Sequence, residues 1–152
     1  MSIETVLVAV GTGDEPQTER LAAEAIAIAE ASDAEIVVTH VFSDEEFDAV
    51  RSRLGVDRAS EGSTPTAVAE RHTSTRALSK ALSEAGVSHT IRGAVGDRAD
   101  GVVEAAEEVG ADRVVVGGRG RSPTGKAVFG SVAQEVLLSS PCPVTFVRDV
   151  AA

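Results

Sequence analysis

The feature that most constrains the fold is a repeated switch between short β-branched runs and longer stretches with helical periodicity. Val6–Val10 is a continuous apolar run that stops at Gly11, as expected of a strand that is buried on both faces. The stretch from about Pro16 to Ala31 then places its apolar side chains at helical spacing. Such alternation predicts β/α units, and therefore a parallel sheet with helices on both faces.

The rest of the chain repeats this alternation. Four further strands are predicted at Glu35–Val41, Ser88–Ala94, Val114–Val116 and Pro143–Arg148. A short helix is expected near Glu45–Arg53, and three more at about Thr66–Ala85, from the N-cap Asp97 to Val109, and from Ser131, which forms a capping-box pattern with Gln134, to about Ser139. Five strands separated by four main helices predict an open, doubly wound α/β sheet in one domain over residues 1–152.

Charge and composition exclude several classes of protein. The net charge is −10, and a surface of this sign repels a phosphate backbone, so we expect no nucleic-acid binding. No apolar run approaches the roughly 18 residues of a membrane span, and the first residues do not resemble a secretory signal, so a cytoplasmic location is expected. Only Lys80 and Lys126 are lysines among 14 basic residues. Together with the acid excess, this favours a halophilic source as a hypothesis.

A glycine-rich, basic segment follows the fourth predicted strand. Between Arg113 and Gln134 there are four cations and no acidic residue. Backbone N–H groups at glycines can approach phosphate oxygens closely because no Cβ intervenes. Ser131 adds a hydroxyl at the positive end of the following helix. The segment therefore predicts an anion site, and the alternative is a surface loop whose glycines only turn the chain.

Two nucleotide-binding motifs nearly fit and are rejected. Gly120–Ala127 resembles a P-loop, but Ala127 stands where a serine or threonine must bind Mg²⁺. Gly11–Thr12–Gly13 opens a dinucleotide fingerprint, but Pro16 occupies the third glycine position.

The spacing that does fit is Gly117-x2-Gly120-x9-Gly130-Ser131-Val132. With the Val6–Val10 run and the Ser140–Val144 segment, it makes the chain resemble the nucleotide-binding branch of the universal stress protein family over nearly its full length. The resemblance implies an adenine-nucleotide α-hydrolase-like sheet in the strand order 3-2-1-4-5. It also implies a homodimer that pairs the last strand, Val144–Arg148, with its symmetry mate.

The resemblance implies a bound adenine nucleotide, which is ATP, AMP or ADP, with Mg²⁺ as an open question. The residues expected at the phosphates and at the base are Gly117, Arg119, Gly120, Lys126, Gly130, Ser131, Val132 and, near adenine, Val41. The family commonly has an aspartate directly after the first strand, where this chain has Gly11, and Asp14 is the candidate substitute.

No residues form a recognisable catalytic arrangement. His40, His72 and His89 lack metal-ligand spacing and are expected to be packed or surface histidines, and Cys142 is expected to be a small buried apolar residue. The favoured function is therefore a regulatory protein of the stress response whose bound nucleotide changes its conformation or assembly, without efficient catalysis. A slow ATPase or phosphotransferase and a dimeric interaction module that binds no nucleotide are the alternatives.

Overall fold

A computed structural model describes residues 3–11, 18–55, 63–119 and 130–149 of the chain. In these ranges at least one helix lies between every two successive strands, as the sequence pattern predicts. The five strands are β1 (Thr5–Val10), β2 (Glu35–Phe42), β3 (His89–Val95), β4 (Arg113–Arg119) and β5 (Val144–Asp149). The six helices are α1 (Thr18–Ser32), α2 (Asp44–Arg53), α3 (Pro65–Arg71), α4 (Thr73–Glu84), α5 (Arg98–Val109) and α6 (Ser131–Ser139).

The strands form one parallel sheet in the order β3-β2-β1-β4-β5, which confirms the predicted order. The chain winds outward from β1 to β3, returns to β4 beside β1, and ends at the edge strand β5. The order therefore reverses between β1 and β4. In open α/β sheets, ligands bind outside the carboxyl ends of the strands at such a switch point.

Each face of the sheet carries its own apolar core. On one face α1 and α4 pack on β1 and β2, with Leu21, Leu78 and Leu82 fully buried. On the other face α5 packs on β1 and β2, and α6 packs on β4 and β5, around buried Val102 and Val136. The β-branched run of β1 is buried on both faces because successive side chains of a strand point in opposite directions.

The helix predicted over Thr66–Ala85 is wrong in one respect, because two helices occupy this stretch. His72 has an extended backbone, with φ −72° and ψ 141°, and its side chain accepts a hydrogen bond from the Ser74 N–H. It therefore ends α3 and caps α4, a role for which histidine is not a preferred residue. The apolar spacing runs across this break, so periodicity alone predicts a single helix.

The other helix boundaries lie close to their predictions. Asp97 caps α5 by accepting from the Asp100 N–H, and Gly110 ends it with φ 65°. Gly86, with φ 72°, follows the end of α4. In the described part of the chain, no helix is long and apolar enough to cross a membrane.

Candidate functional site

A cleft opens at the carboxyl ends of the strands, at the switch point of the sheet. Its floor comes from the ends of β1, β2 and β4, and its sides come from the first turns of α5 and α6. The lining residues are Ala9, Val10, Gly11, Val41, Arg98, Val102, Val116, Gly117, Val132 and Ala133. The cleft volume is about 130 Å³, whereas sites that enclose a drug-sized ligand measure about 300–1,000 Å³. The cleft formed by the described residues is therefore smaller than a site that encloses a drug-sized ligand.

An apolar wall closes the cleft on the β2 side. Val41 is buried at the end of β2, and Val102 is buried one turn into α5. Between them, Gly101 lets the helix approach the strand closely, because a Cβ at this position would lie 2.6 Å from Val41 Cγ1. The sequence analysis did not identify Gly101, since a glycine inside a helical pattern carries no signal of what it packs against.

The first turn of α6 forms the opposite side of the cleft. Its N-cap is Gly130, and no side chain makes a cap hydrogen bond there. The predicted capping box is therefore wrong by one residue, because Ser131 is already the first helical residue and is exposed. Gln134 N–H bonds to the Gly130 carbonyl, so the helix begins one residue earlier than the Ser–Gln pattern indicates.

An uncapped helix start is a suitable place for an anion. The first N–H groups of an α-helix have no acceptor within the helix, and the macrodipole adds positive potential there. The first turn of α6 contains no acidic residue. A Cβ built on Gly130 meets no described atom within 4 Å, so no described residue fills the space beside this helix start.

The structure brings together part of the predicted site. Val41, Gly117 and Val132 line the cleft, and Gly130 and Ser131 begin the helix beside it. Arg119 ends β4, and its backbone continues from Gly117. Three predicted residues lie outside the described ranges: Asp14, Gly120 and Lys126.

One charged residue of the cleft was missed by the sequence analysis. Arg98 is the first residue of α5 and lines the cleft. Its Nη1 lies 3.8 Å from Oε1 of Glu46 in α2. Its position in the sequence could have identified it as a cleft residue. A residue directly after the N-cap of a helix that follows a strand lies at the carboxyl edge of the sheet.

A buried pair of histidines lies on the opposite face of β2. The His40 ring is fully buried, 4.0 Å from the Phe42 ring and 4.6 Å from the His72 ring between centroids. Its Nδ1 is 3.3 Å from Thr75 Oγ1, and its Nε2 has no partner among the described residues. Burial, reinforced by the neighbouring His72, lowers the pKa of His40 to about 3, so the ring is neutral at pH 7. Both histidines are packed residues, as predicted, but they lie together.

Metal-binding side chains do not converge at the cleft. In the ranges that the structure describes, no three histidine, cysteine, aspartate or glutamate residues are grouped to hold an ion. Cys142 is half-buried against the α5–α6 core, and its N–H donates to Ser140 Oγ at 3.3 Å. This surrounding fits the predicted structural role.

The fold and the cleft define the class to which this protein belongs: an α/β protein with a doubly wound parallel sheet and a cleft at the switch point. A family model gives the narrower assignment. The universal stress protein family model matches residues 2–148, and the chain belongs to that family.

Curated relatives share parts of the chain. A universal stress protein of Mycolicibacterium smegmatis is 41% identical over 68 residues, which are 44% of this chain and 52% of the relative. One from Methanothermobacter thermautotrophicus is 44% identical over 55 residues, which are 36% of this chain and 37% of the relative. The chain thus spans about half of the first relative and about a third of the second.

Solved structures match nearly the whole chain. A universal stress protein in complex with cAMP is 26% identical with a TM-score of 0.64, covering 97% of this chain and 98% of that one. A universal stress protein from Archaeoglobus fulgidus is 25% identical with a TM-score of 0.64, covering 97% and 100%. Two others, solved with dAMP and with AMP, are 22% and 21% identical with TM-scores of 0.60 and share the fold.

Proposed function

We propose that this protein binds an adenine nucleotide, ATP or AMP, in the cleft at the switch point, and that the nucleotide acts as a regulatory ligand in a stress response. The observation that carries the proposal is the uncapped start of α6, which lies across the cleft from the apolar wall of Val41 and Val102. Related proteins of the same fold were solved with cAMP, dAMP and AMP.

The two sides of the cleft suit the two ends of a nucleotide. Phosphates fit the α6 side, where Gly117 and Gly130 leave the backbone accessible and the first N–H groups of the helix are free of helical acceptors. The base fits the β2 side, where Val41 and Val102 offer apolar contact. Arg119 and Lys126 are proposed to add charge at the phosphates.

Calorimetric titration of the Gly130→Val variant tests the phosphate side. We expect ATP binding to be abolished, because the new side chain would occupy the space in front of the helix start. The fold should persist, since a Cβ at Gly130 meets no described atom. Ser139→Val is the matched control, because it places the same side chain at the exposed far end of α6. Equal ATP affinity in Gly130→Val and the parent would place the phosphates elsewhere.

We propose that the protein has negligible catalytic activity. Apart from Arg98 and two glycines, the described cleft is lined by alanine and valine, so the described lining offers no general base. Multiple-turnover ATP hydrolysis approaching about 1 s⁻¹, the low end of common enzyme rates, would overturn this. Assays with and without Mg²⁺ address the slow ATPase alternative.

We also propose a homodimer that pairs β5 with its symmetry mate. β5 lies at the edge of the sheet, and an unpaired edge favours strand addition. In the adjoining helix α6, Leu138 is 80% exposed. Light scattering at micromolar concentration in high salt should give the dimer mass, and a monomer would contradict the proposal. Cytoplasmic location, halophilic origin and the absence of nucleic-acid binding stay predictions.

A further inference from the structure

We propose that Arg98 contacts the nucleobase and sets the affinity of this protein for the nucleoside, with Glu46 holding its guanidinium in place. This inference rests on the proposed function, because it concerns the base end of the same cleft. It adds a residue that the glycine spacing does not include.

Arg98 lies on the base side of the cleft. It begins α5, whose next turn supplies Val102, and its guanidinium points toward α2, which directly follows β2. The uncapped start of α6 lies on the other side. The Arg98 side chain is 48% exposed, and Arg98 and Val41 both line the cleft.

The charges around Arg98 favour a neutral partner over a phosphate. Glu46 lies beside its guanidinium, and Asp97 precedes it in the chain. The Glu46 carboxylate offsets the charge of the guanidinium, whereas the Asp97 side chain caps α5 by accepting from the Asp100 N–H, so the Arg98–Glu46 pair offers a phosphate little net attraction. The first turn of α6, in contrast, has no acidic residue. Phosphates therefore favour α6, while a neutral base can approach Arg98.

Glu46 is fixed independently of Arg98. Its Oε1 accepts a hydrogen bond of 3.0 Å from the Ser43 N–H, and its own N–H donates to Ser43 Oγ, which makes a capping box at the start of α2. The carboxylate that faces Arg98 at 3.8 Å is thus held by the backbone. An arginine has five N–H donors, so this partner leaves donors and the flat face of the guanidinium for the ligand.

Guanidinium chemistry suits a purine. The planar cation stacks on aromatic rings, and its fork of donors matches ring nitrogen and carbonyl acceptors. A lysine keeps the charge but loses the plane and the fork. The proposal therefore predicts that Arg98→Lys binds nucleoside as poorly as Arg98→Ala.

Titration of adenosine and of ATP into the parent and the Arg98 variants tests the contact. We expect Arg98→Ala to weaken both ligands by a similar factor, about three- to thirtyfold, the range of a cation–π contact. Arg98→Lys should do the same. Lys80→Ala is the control for a lost positive charge, because Lys80 is exposed on α4, which packs on the opposite face of the sheet. It should leave both affinities unchanged.

The Glu46→Gln variant tests the positioning role. Glutamine keeps an amide oxygen for the Ser43 N–H but loses the charge that faces Arg98. We expect Glu46→Gln to weaken adenosine binding about two- to fivefold in the parent background, the scale of an exposed ion pair. In the Arg98→Ala background, Glu46→Gln should leave adenosine affinity unchanged. An equal effect of Glu46→Gln in both backgrounds would overturn the positioning role.

The results separate this inference from the proposed function. If the parent binds neither adenosine nor ATP, the proposed function itself fails. If Arg98→Ala weakens ATP but leaves adenosine unchanged, Arg98 is a phosphate ligand and the base contact is wrong. If neither ligand changes while circular dichroism shows a folded protein, Arg98 has no part in the site.

Discussion

The two faces of the sheet differ most at the ends of the strands, and neighbouring residues of β2 show the difference. His40 is buried under α3 and α4, with its ring against His72 and its Nδ1 near Thr75 Oγ1. Val41 points to the other face and lines the cleft between α5 and α6. We refer to the face of the sheet that carries His40 as the sealed face and to the face that carries Val41 as the open face.

The starts of the helices show the same contrast. On the sealed face, α3 is capped by Thr64 and α4 by His72. On the open face, α5 is capped by Asp97, and α6 has no side-chain cap. A side chain thus satisfies one backbone donor at the start of α3 and one at the start of α4, whereas no side chain makes a cap bond at the start of α6. Glycine at an N-cap is only a few tenths of a kcal/mol less stabilising than a capping side chain, so the fold tolerates this uncapped start.

The largest effect is expected from protonation of His40 on the sealed face. Its pKa in the folded protein is about 3 against 6.5 ordinarily, because the ring is buried. The unfolded chain therefore binds a proton that the folded protein excludes, and stability falls as the pH drops below 6.5. By pH 3 the free energy of unfolding should have fallen by about 4–5 kcal/mol. Charged or titratable neighbours on the packed elements are His72, Glu46 and Arg98.

Denaturant unfolding at several pH values checks this prediction. His40→Phe keeps a ring against Phe42 and cannot titrate, so its stability should fall less between pH 6.5 and pH 4. Comparing slopes against pH, rather than absolute stabilities, removes the constant cost of losing the Thr75 contact. Identical slopes in the two proteins would show that protonation of His40 does not lower the free energy of unfolding.

The next effect concerns the open face, where a cap can be added to α6. Gly130 has φ −63° and ψ 156°, the extended backbone of an N-cap, with open space at its Cβ. Gly130→Asp should therefore give α6 the kind of cap that α5 has. We expect a gain in stability of a few tenths of a kcal/mol and a loss of ATP affinity of about 2–3 kcal/mol, since the carboxylate takes the phosphate's donors.

Gly130→Asn separates competition from repulsion, because asparagine caps as well as aspartate but carries no charge. It should weaken ATP less than Gly130→Asp, and both variants should leave adenosine binding unchanged. Thermal melts and calorimetric titrations measure the two quantities. A variant that gains the cap and still binds ATP like the parent would show that the start of α6 does not bind the phosphates.

Much of the fold could be predicted from the sequence because its signals are local. The Val6–Val10 run, the Asp97 cap and Gly110 each act within a few residues, and each predicts an element that is present. The break at His72 could not be predicted. It depends on a histidine ring that is buried between β2 and α4, a packing that arises only after the strands and helices assemble.

The candidate site divides in the same way. Its glycine spacing is a local pattern, and it indicates Gly117 and Gly130 beside the cleft. Arg98 and Gly101 belong to the cleft because of distant partners, Glu46 in α2 and Val41 in β2. No pattern within α5 marks them. The sequence pattern predicts the N-cap of α6 at Ser131 instead of Gly130 for a related reason. The Ser–Gln pattern favours a cap that the folded chain does not form.

The smallest effect on stability is expected from removing a hydroxyl at a capped helix start and at an uncapped one. On the sealed face, Thr64 Oγ1 accepts from the Ala67 N–H at 3.2 Å, so Thr64→Ala should cost about 1 kcal/mol of unfolding free energy. On the open face, Ser131 makes no cap bond and is exposed, so Ser131→Ala should stay within about 0.5 kcal/mol of the parent. Urea unfolding of the nucleotide-free proteins measures both. A cost at Ser131 that equals the cost at Thr64 would mean that this serine caps α6 in solution, and the open face would then hold fewer free donors than a phosphate site needs.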